Sequence, residues 1–186
     1  MESLYIKEII LGDVSKFSYF VSKYKDMSFV IAFRIVKNKE DAEEVVQDSF
    51  LRAYKSLGKF KHNSKFSTWL YRIVVNTSLT KVKRRSTINN IDIEEVPDIF
   101  IENVESIYGG LANEEQKKFI NHALNELNVE DSLLLTLYYI NENSIDEIGE
   151  ITDISNKNIK MKLYRARKRM YVVLNKILKL EMKEII

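Results

Sequence analysis

The sequence predicts an all-α protein, and three observations carry that prediction. Only five Gly and one Pro occur in 186 residues, so helix breakers are scarce. Apolar residues recur at helical spacing along most of the chain. Alternating β-branched runs, the mark of half-buried strands, are largely absent. An apolar fraction of 45% is enough to build packed cores, and the length suits one or two small domains.

The first helical block spans residues 4–85. Within it, residues 38–57 read as one helix. Ala42, Val45, Val46, Ser49, Phe50, Ala53 and Leu57 form its apolar stripe. Asp41, Glu44, Gln47, Asp48 and Leu51 lie on or beside the other face, with acids in the first turn where the helix dipole favours them. Such an acidic face does not suit phosphate. It is either solvated or a docking surface for a basic protein.

Residues 59–85 interleave aromatic and cationic side chains, from Lys59, Phe60, Lys61 and His62 through Phe66, Trp69 and Arg72 to Lys83, Arg84 and Arg85. Stacking on aromatic rings inside a positive groove is how proteins hold single-stranded nucleic acid. The spacing of Phe66, Trp69, Leu70 and Ile73 equally fits a helix core, and Trp69 suits both roles.

Residues 86–112 are poorly periodic and contain Pro97 and the pair Gly109-Gly110, so they read as a connector. From Ser86 to Glu130 ten acids face two lysines, a local net charge of −8 in a chain whose total is +2. Fully extended, the connector reaches roughly 85 Å.

The second block spans residues 113–186. Asn113-Glu114-Glu115-Gln116 reads as a capping box, followed by the stripe Phe119, Ile120, Ala123, Leu124 and Leu127. Asn128 to Asp131 caps a helix expected over residues 133–140. Ser144 and Glu147 have the spacing of a second capping box. Ile145, Ile148 and Gly149 share a face, and Gly149, lacking a Cβ, permits a close helix crossing. After Thr152-Asp153-Ile154, Ser155 is a good N-cap for a helix bearing Ile159, Leu163, Ala166 and Met170 on one side. Its other positions up to Met170 carry seven Lys or Arg, and no acid occurs between Ser155 and Lys176. A short capped helix, a tight corner and a basic helix have the layout of a helix-turn-helix, whose second helix enters a DNA major groove; the alternative is an ordinary amphipathic helix with a solvated basic face. In the helix-turn-helix layout Asn156, Lys157, Asn158 and Lys160 face base edges or nearby phosphates, while Lys162, Arg165, Arg167, Lys168 and Arg169 lie along the backbone. Residues 171–186 continue the amphipathic pattern.

Several classes are excluded or disfavoured. Without cysteine there is no disulfide framework and no thiolate metal site. Charges at Glu2, Lys7, Glu8 and Asp13 break any signal-peptide core, and no run has the length of a membrane span, so a cytoplasmic protein is expected. His62 and His122 are far apart with no convergent ligand set and read as surface or loop residues. No phosphate-binding Gly loop or nucleophile motif is present. The expectation is therefore no catalytic residue, no metal and no cofactor.

Two stretches resemble a known family. The run from Asp41 to Leu51, followed by Phe66-Ser67-Thr68-Trp69-Leu70-Tyr71-Arg72-Ile73 and Asn76, resembles region 2 of bacterial RNA polymerase sigma factors. The block ending Leu163-Tyr164-Arg165-Ala166-Arg167-Lys168-Arg169-Met170 resembles their region 4. Both in this order at this length resemble the small extracytoplasmic-function type of the sigma-70 family. The resemblance implies a region 2-like domain at 1–85, a linker at 86–112 and a region 4-like domain at 113–186.

It also implies roles. Asp41, Glu44, Gln47, Asp48 and Leu51 would dock the β′ clamp helices of core RNA polymerase, with the β flap a further core contact. Lys61, Asn63, Lys65, Trp69, Arg72, Asn76, Lys83, Arg84 and Arg85 would hold the −10 strand and adjoining duplex. Ser155, Asn156, Lys157, Asn158, Lys160, Lys162 and Arg165 would read the −35 duplex. Promoter DNA, duplex and melted, and an anti-sigma factor are the implied further partners, with no membrane insertion. The chain departs from the family pattern at Thr80, where Asp is frequent, at Gly149, where Ala is common, and at Asp153, near which Gly is common. Lys157 stands for a frequent small residue and Asn158 for a frequent Thr. The rival readings are a helix-turn-helix regulator that binds duplex DNA without polymerase, and a sigma-like protein-binding decoy. A plain regulator needs neither the acidic helix nor the aromatic–basic loop, and the retained basic helix argues against the decoy.

Overall fold

The computed structural model describes residues 1–88 and 114–184, and every described element is helical. The chain divides into two compact units, residues 1–92 with 150–153 and residues 93–149 with 154–186.

In the first unit, α1 (Glu2–Ile10) and a 3₁₀ turn (Val14–Lys16) precede α2 (Phe17–Val36), α3 (Lys39–Ser56) and α4 (Phe66–Ile88). α2, α3 and α4 pack on one another around Phe20, Val30, Ile31, Phe33, Ala42, Ala53, Leu70 and Val74, all buried. α2 is buried on nearly every side in its second half, where even Arg34 is fully enclosed. It stops at Lys37, whose left-handed backbone (φ 56°) lets its N–H close on the Phe33 carbonyl. Asn38 then caps α3 by accepting the Asp41 N–H at 2.8 Å. α1 lays Ile6 and Ile9 inward. Its first residue is clamped to α2, because Glu2 Oε1 accepts from Lys23 Nζ at 2.7 Å and from the Tyr24 hydroxyl at 2.6 Å.

In the second unit, α5 (Glu114–Glu126) buries Ala123 and Leu124, with Leu127 just past its end. Asn113, expected to open a capping box, lies outside the described residues, as does most of the expected connector. α6 spans Val129–Leu135, starting earlier than the expected residues 133–140, because Asn128 Oδ1 accepts the Asp131 N–H at 2.9 Å. The residues expected to finish this helix, Thr136–Ile140, form a π turn instead, closed by the Asn141 N–H on the Thr136 carbonyl at 3.0 Å. α7 (Ile145–Thr152), of which residues 145–149 belong to this unit, and α8 (Asn156–Glu184) follow in the chain, and α8 packs on α5 and α6. The amphipathic pattern expected over residues 171–186 continues α8 without a break to Glu184. α4 likewise runs past Arg85, to Ile88. Among the described residues no helix is long and apolar enough to cross a membrane.

Candidate nucleic-acid interface

Three surfaces gather the residues singled out by sequence. The helix-turn-helix is built by local bonds. Glu147 N–H donates to Ser144 Oγ at 3.2 Å, and Ser144 N–H donates to a Glu147 carboxylate oxygen at 2.9 Å, the reciprocal pair of a capping box. Between α7 and α8 the backbone turns at Asp153 in the left-handed region (φ 60°), which a short polar side chain tolerates. Ile148, Ile159, Leu163 and Ala166 are buried. Gly149 is crossed so closely that a Cβ there would meet the Ile154 carbonyl oxygen at 3.2 Å and the Ile159 side chain at 3.7 Å.

The basic side chains of α8 separate into two sets. Lys157, Asn158, Lys160 and Arg165 are exposed, and Lys157, Lys160, Tyr164 and Lys168 follow one another at helical spacing along the outer row. Lys168 lies over the Tyr164 ring at 4.6 Å. Others are engaged within the unit. Lys162 Nζ is 2.6 Å from Glu130 Oε2. Arg169 forks onto Asp131, with Nε on Oδ2 and Nη2 on Oδ1 at 2.7 Å. Asp131 is 1% exposed, so this fork and the Asn128 amide on Oδ2 are what make its burial tolerable. Arg167 sits near Tyr138 and Tyr139, 5.7 and 5.6 Å from their ring centroids. Asn156, expected at base edges, instead donates its amide to Asp146 at the start of α7. Ser155 supplies the carbonyl that accepts the Ile159 N–H at 3.0 Å.

A second surface runs along α4 from the bend before it. Lys61, Asn63 and Lys65 are exposed in that bend. Trp69, Arg72, Asn76 and Lys83 share one helical face. Arg72, Asn76, Lys83 and Arg84 are exposed and Trp69 is half-buried. Trp69 joins a chain of rings, 5.2 Å from Phe60 and 5.6 Å from Phe66, while Phe66 lies 4.3 Å from Phe20 in the core. Arg85 turns the other way and meets Asp41 on α3 at 3.5 Å.

The third surface is the outer face of α3. Gln47, Asp48 and Leu51 are exposed, Leu51 by 57%. Asp41 and Glu44 are not simply solvated. Lys81 Nζ stands 2.6 Å from Glu44 Oε2 and 3.1 Å from Asp41 Oδ1. The hydrogen bond to Glu44 leads in holding the Lys81 ammonium above its ordinary pKa. Sequence reasoning missed Lys81, because the pairing joins positions separated by 37 residues.

Among the described residues no cluster of His, Cys, Asp or Glu is arranged to hold a metal ion. What these surfaces offer is binding: two basic faces that both carry rings, and one acidic face with an exposed leucine.

Comparison with known proteins finds relatives for both units. The family model for sigma-70 region 2 matches residues 20–88, and that for sigma-70 region 4 matches residues 120–170. The chain is 30% identical over 177 residues to the ECF RNA polymerase sigma factor SigW of Bacillus subtilis, covering 89% of this chain and 92% of that one. It is 27% identical over 176 residues to the ECF RNA polymerase sigma-E factor of Escherichia coli, covering 89% and 90%. Its fold is similar to that of the sigma factor RpoE solved with the anti-sigma factor NepR from Bartonella quintana, with a TM-score of 0.70 at 22% identity over 86% of this chain and 96% of that one. It is also similar to CnrH solved with the cytosolic domain of CnrY, with a TM-score of 0.64 at 19% identity over 92% and 96%.

Proposed function

Because this chain belongs to the extracytoplasmic-function group of sigma-70 RNA polymerase sigma factors, we propose that its three surfaces divide the work of promoter recognition. It is a sigma factor, a specificity subunit of a family whose members are not enzymes. The acidic outer face of α3, with Gln47, Asp48 and exposed Leu51, docks the β′ clamp helices of core polymerase, and Glu44 and Asp41 reach them from beside Lys81. Residues 61–65 and the Trp69–Lys83 face of α4 hold the −10 region, Lys61 and Lys65 on phosphate and Asn63 on a base edge. The N-terminal half of α8 reads the −35 duplex through Lys157, Asn158 and Lys160, with Arg165 on the backbone.

The observation that carries this reading is the exposed row on α8. Its hydrophobic side is buried against a capped α7, and its outer side presents lysines to a polyanion. Opening of the −10 duplex follows from a near balance. Extruding a base costs a few kcal/mol, and stacking on a ring returns about 1–3 kcal/mol, so core polymerase and promoter sequence together tip it. An anti-sigma protein is a further partner, in keeping with the two fold neighbours solved in such pairings. The protein works in the cytoplasm, where polymerase is.

The test is to combine the purified protein with sigma-free bacterial core polymerase and genomic DNA of its source and to sequence transcript 5′ ends. Discrete starts sharing paired upstream motifs are expected. Duplex binding without core-dependent starts would make the protein a helix-turn-helix regulator instead.

A further inference from the structure

We propose that His62 is a base-stacking residue, the outer wall of the slot that takes the nucleotide extruded from the −10 strand. The inference rests on the base-capture reading given above for residues 61–65 and deepens it. His62 has φ 56°, in the left-handed region. That conformation is natural for Gly and is adopted by only a few per cent of other residues, with Asn, Asp and His the most frequent among them. The other left-handed non-glycine residues described lie at helix ends or in the turn before α7, at Lys37, Asp153 and Glu142. His62 instead sits in the exposed bend between the Leu57–Lys59 turn and α4. An uncommon backbone conformation kept on an exposed bend, away from any helix end, points to a side chain whose use lies outside the fold.

The imidazole is also held ready. Its ring lies 4.6 Å from Phe60. Phe60 is 5.2 Å from Trp69 and 5.9 Å from Phe66, so a continuous chain of rings links the core to His62. Phe60 supports one side of the imidazole, and the residue itself remains exposed. Lys61 and Lys65 flank it with positive charge and Asn63 with an amide. An exposed ring braced at a tilt by an aromatic neighbour and bordered by cations offers a π-face of the kind that holds an unstacked base.

The test uses the full chain bound to core polymerase and a promoter fragment with a pre-opened −10 region. Each non-template base there is replaced in turn by an abasic site. Wild type, His62→Gly and His62→Tyr are compared, with thermal midpoints measured alongside. His62→Gly is expected to melt no lower than wild type, because Gly is at ease at this φ. It should nevertheless bind the intact fragment about 5- to 100-fold more weakly. At one position the abasic site should cost wild type a similar factor and cost His62→Gly nothing further. His62→Tyr, which keeps a ring, should retain most of the affinity and the abasic sensitivity. A wild type sensitive at one position, with His62→Gly equally sensitive there, would overturn the assignment of His62 alone. A wild type indifferent to every abasic site would overturn the base-capture reading beneath it as well.

Discussion

Gly149 and Asn156 share a space that only one of them can fill with a side chain. A Cβ at position 149 would lie 2.9 Å from Asn156 Oδ1, and the Asn156 amide is fixed there by Asp146. The corner of the helix-turn-helix is therefore a matched set, in which the absent side chain on α7 makes room for the first side chain of α8.

Gly149→Ala consequently has an effect that depends on Asn156. In the wild-type chain the strained contact outweighs the helical preference for Ala, with a net loss of about 1 kcal/mol. In an Asn156→Ala background the closest clash is gone and only the Ile154 carbonyl at 3.2 Å stays tight. The same change then becomes neutral or slightly stabilising. Urea unfolding of the four chains measures the coupling, and an equal cost in both backgrounds would refute the pairing.

The cations of α8 separate by salt dependence. Lys157→Ala and Lys160→Ala should each lower the slope of log affinity against log salt on a −35 duplex by about 0.9. Lys162→Ala should leave the slope unchanged and cost at most about 0.5 kcal/mol of stability, since its partner is Glu130 and both are partly exposed. Arg169→Ala should depress the thermal midpoint more than Arg165→Ala, because it leaves the buried Asp131 carboxylate without its guanidinium. A slope lowered by Lys162→Ala would show that the Glu130 pair opens for DNA.

Leu51 isolates core docking from folding. It is 57% exposed on α3, so Leu51→Ala should leave the melting midpoint within a degree or so while weakening core polymerase binding about tenfold. Glu44→Ala with Gln47→Ala should also weaken core binding and spare −35 duplex affinity. An unchanged core affinity in both variants removes α3 from the docking surface.

Alkaline pH should loosen the first unit through Tyr24. Burial, then the hydrogen bond to the Glu2 carboxylate, pushes the phenol up to about 12 from an ordinary value of 10.0. Between those values the folded chain keeps a proton that the unfolded chain has lost. The contribution is complete below pH 10 and disappears as pH rises through about 12. A shift of that size amounts to at most about 2–3 kcal/mol. Lys23, Lys81 and Tyr71 are also shifted upward and act with the same sign. The fluorescence of Trp69, the single Trp, reports this unit. Its unfolding midpoint should decline less steeply with pH in Tyr24→Phe, and a parallel decline would assign the effect elsewhere.

The local features of this protein were legible in its sequence. The Ser144–Glu147 box, the Gly149 crossing and the stripe from Ala42 to Leu57 each depend on residues a few positions apart, where helical geometry alone sets who meets whom. The same logic separated the buried side of α8 from its basic side. It could not say which basic residues stay available. Lys162 with Glu130, Arg169 with Asp131 and Lys81 with Glu44 span 32, 38 and 37 residues, and only the packing of helices brings such charges together. Nor does a helical period reveal that Thr136–Ile140 closes as a π turn, or that His62 takes a left-handed backbone. Those depend on how the chain must bend to join elements already packed, so the sequence determined the helices and their apolar faces, and tertiary structure decided which charges and rings remain for a partner.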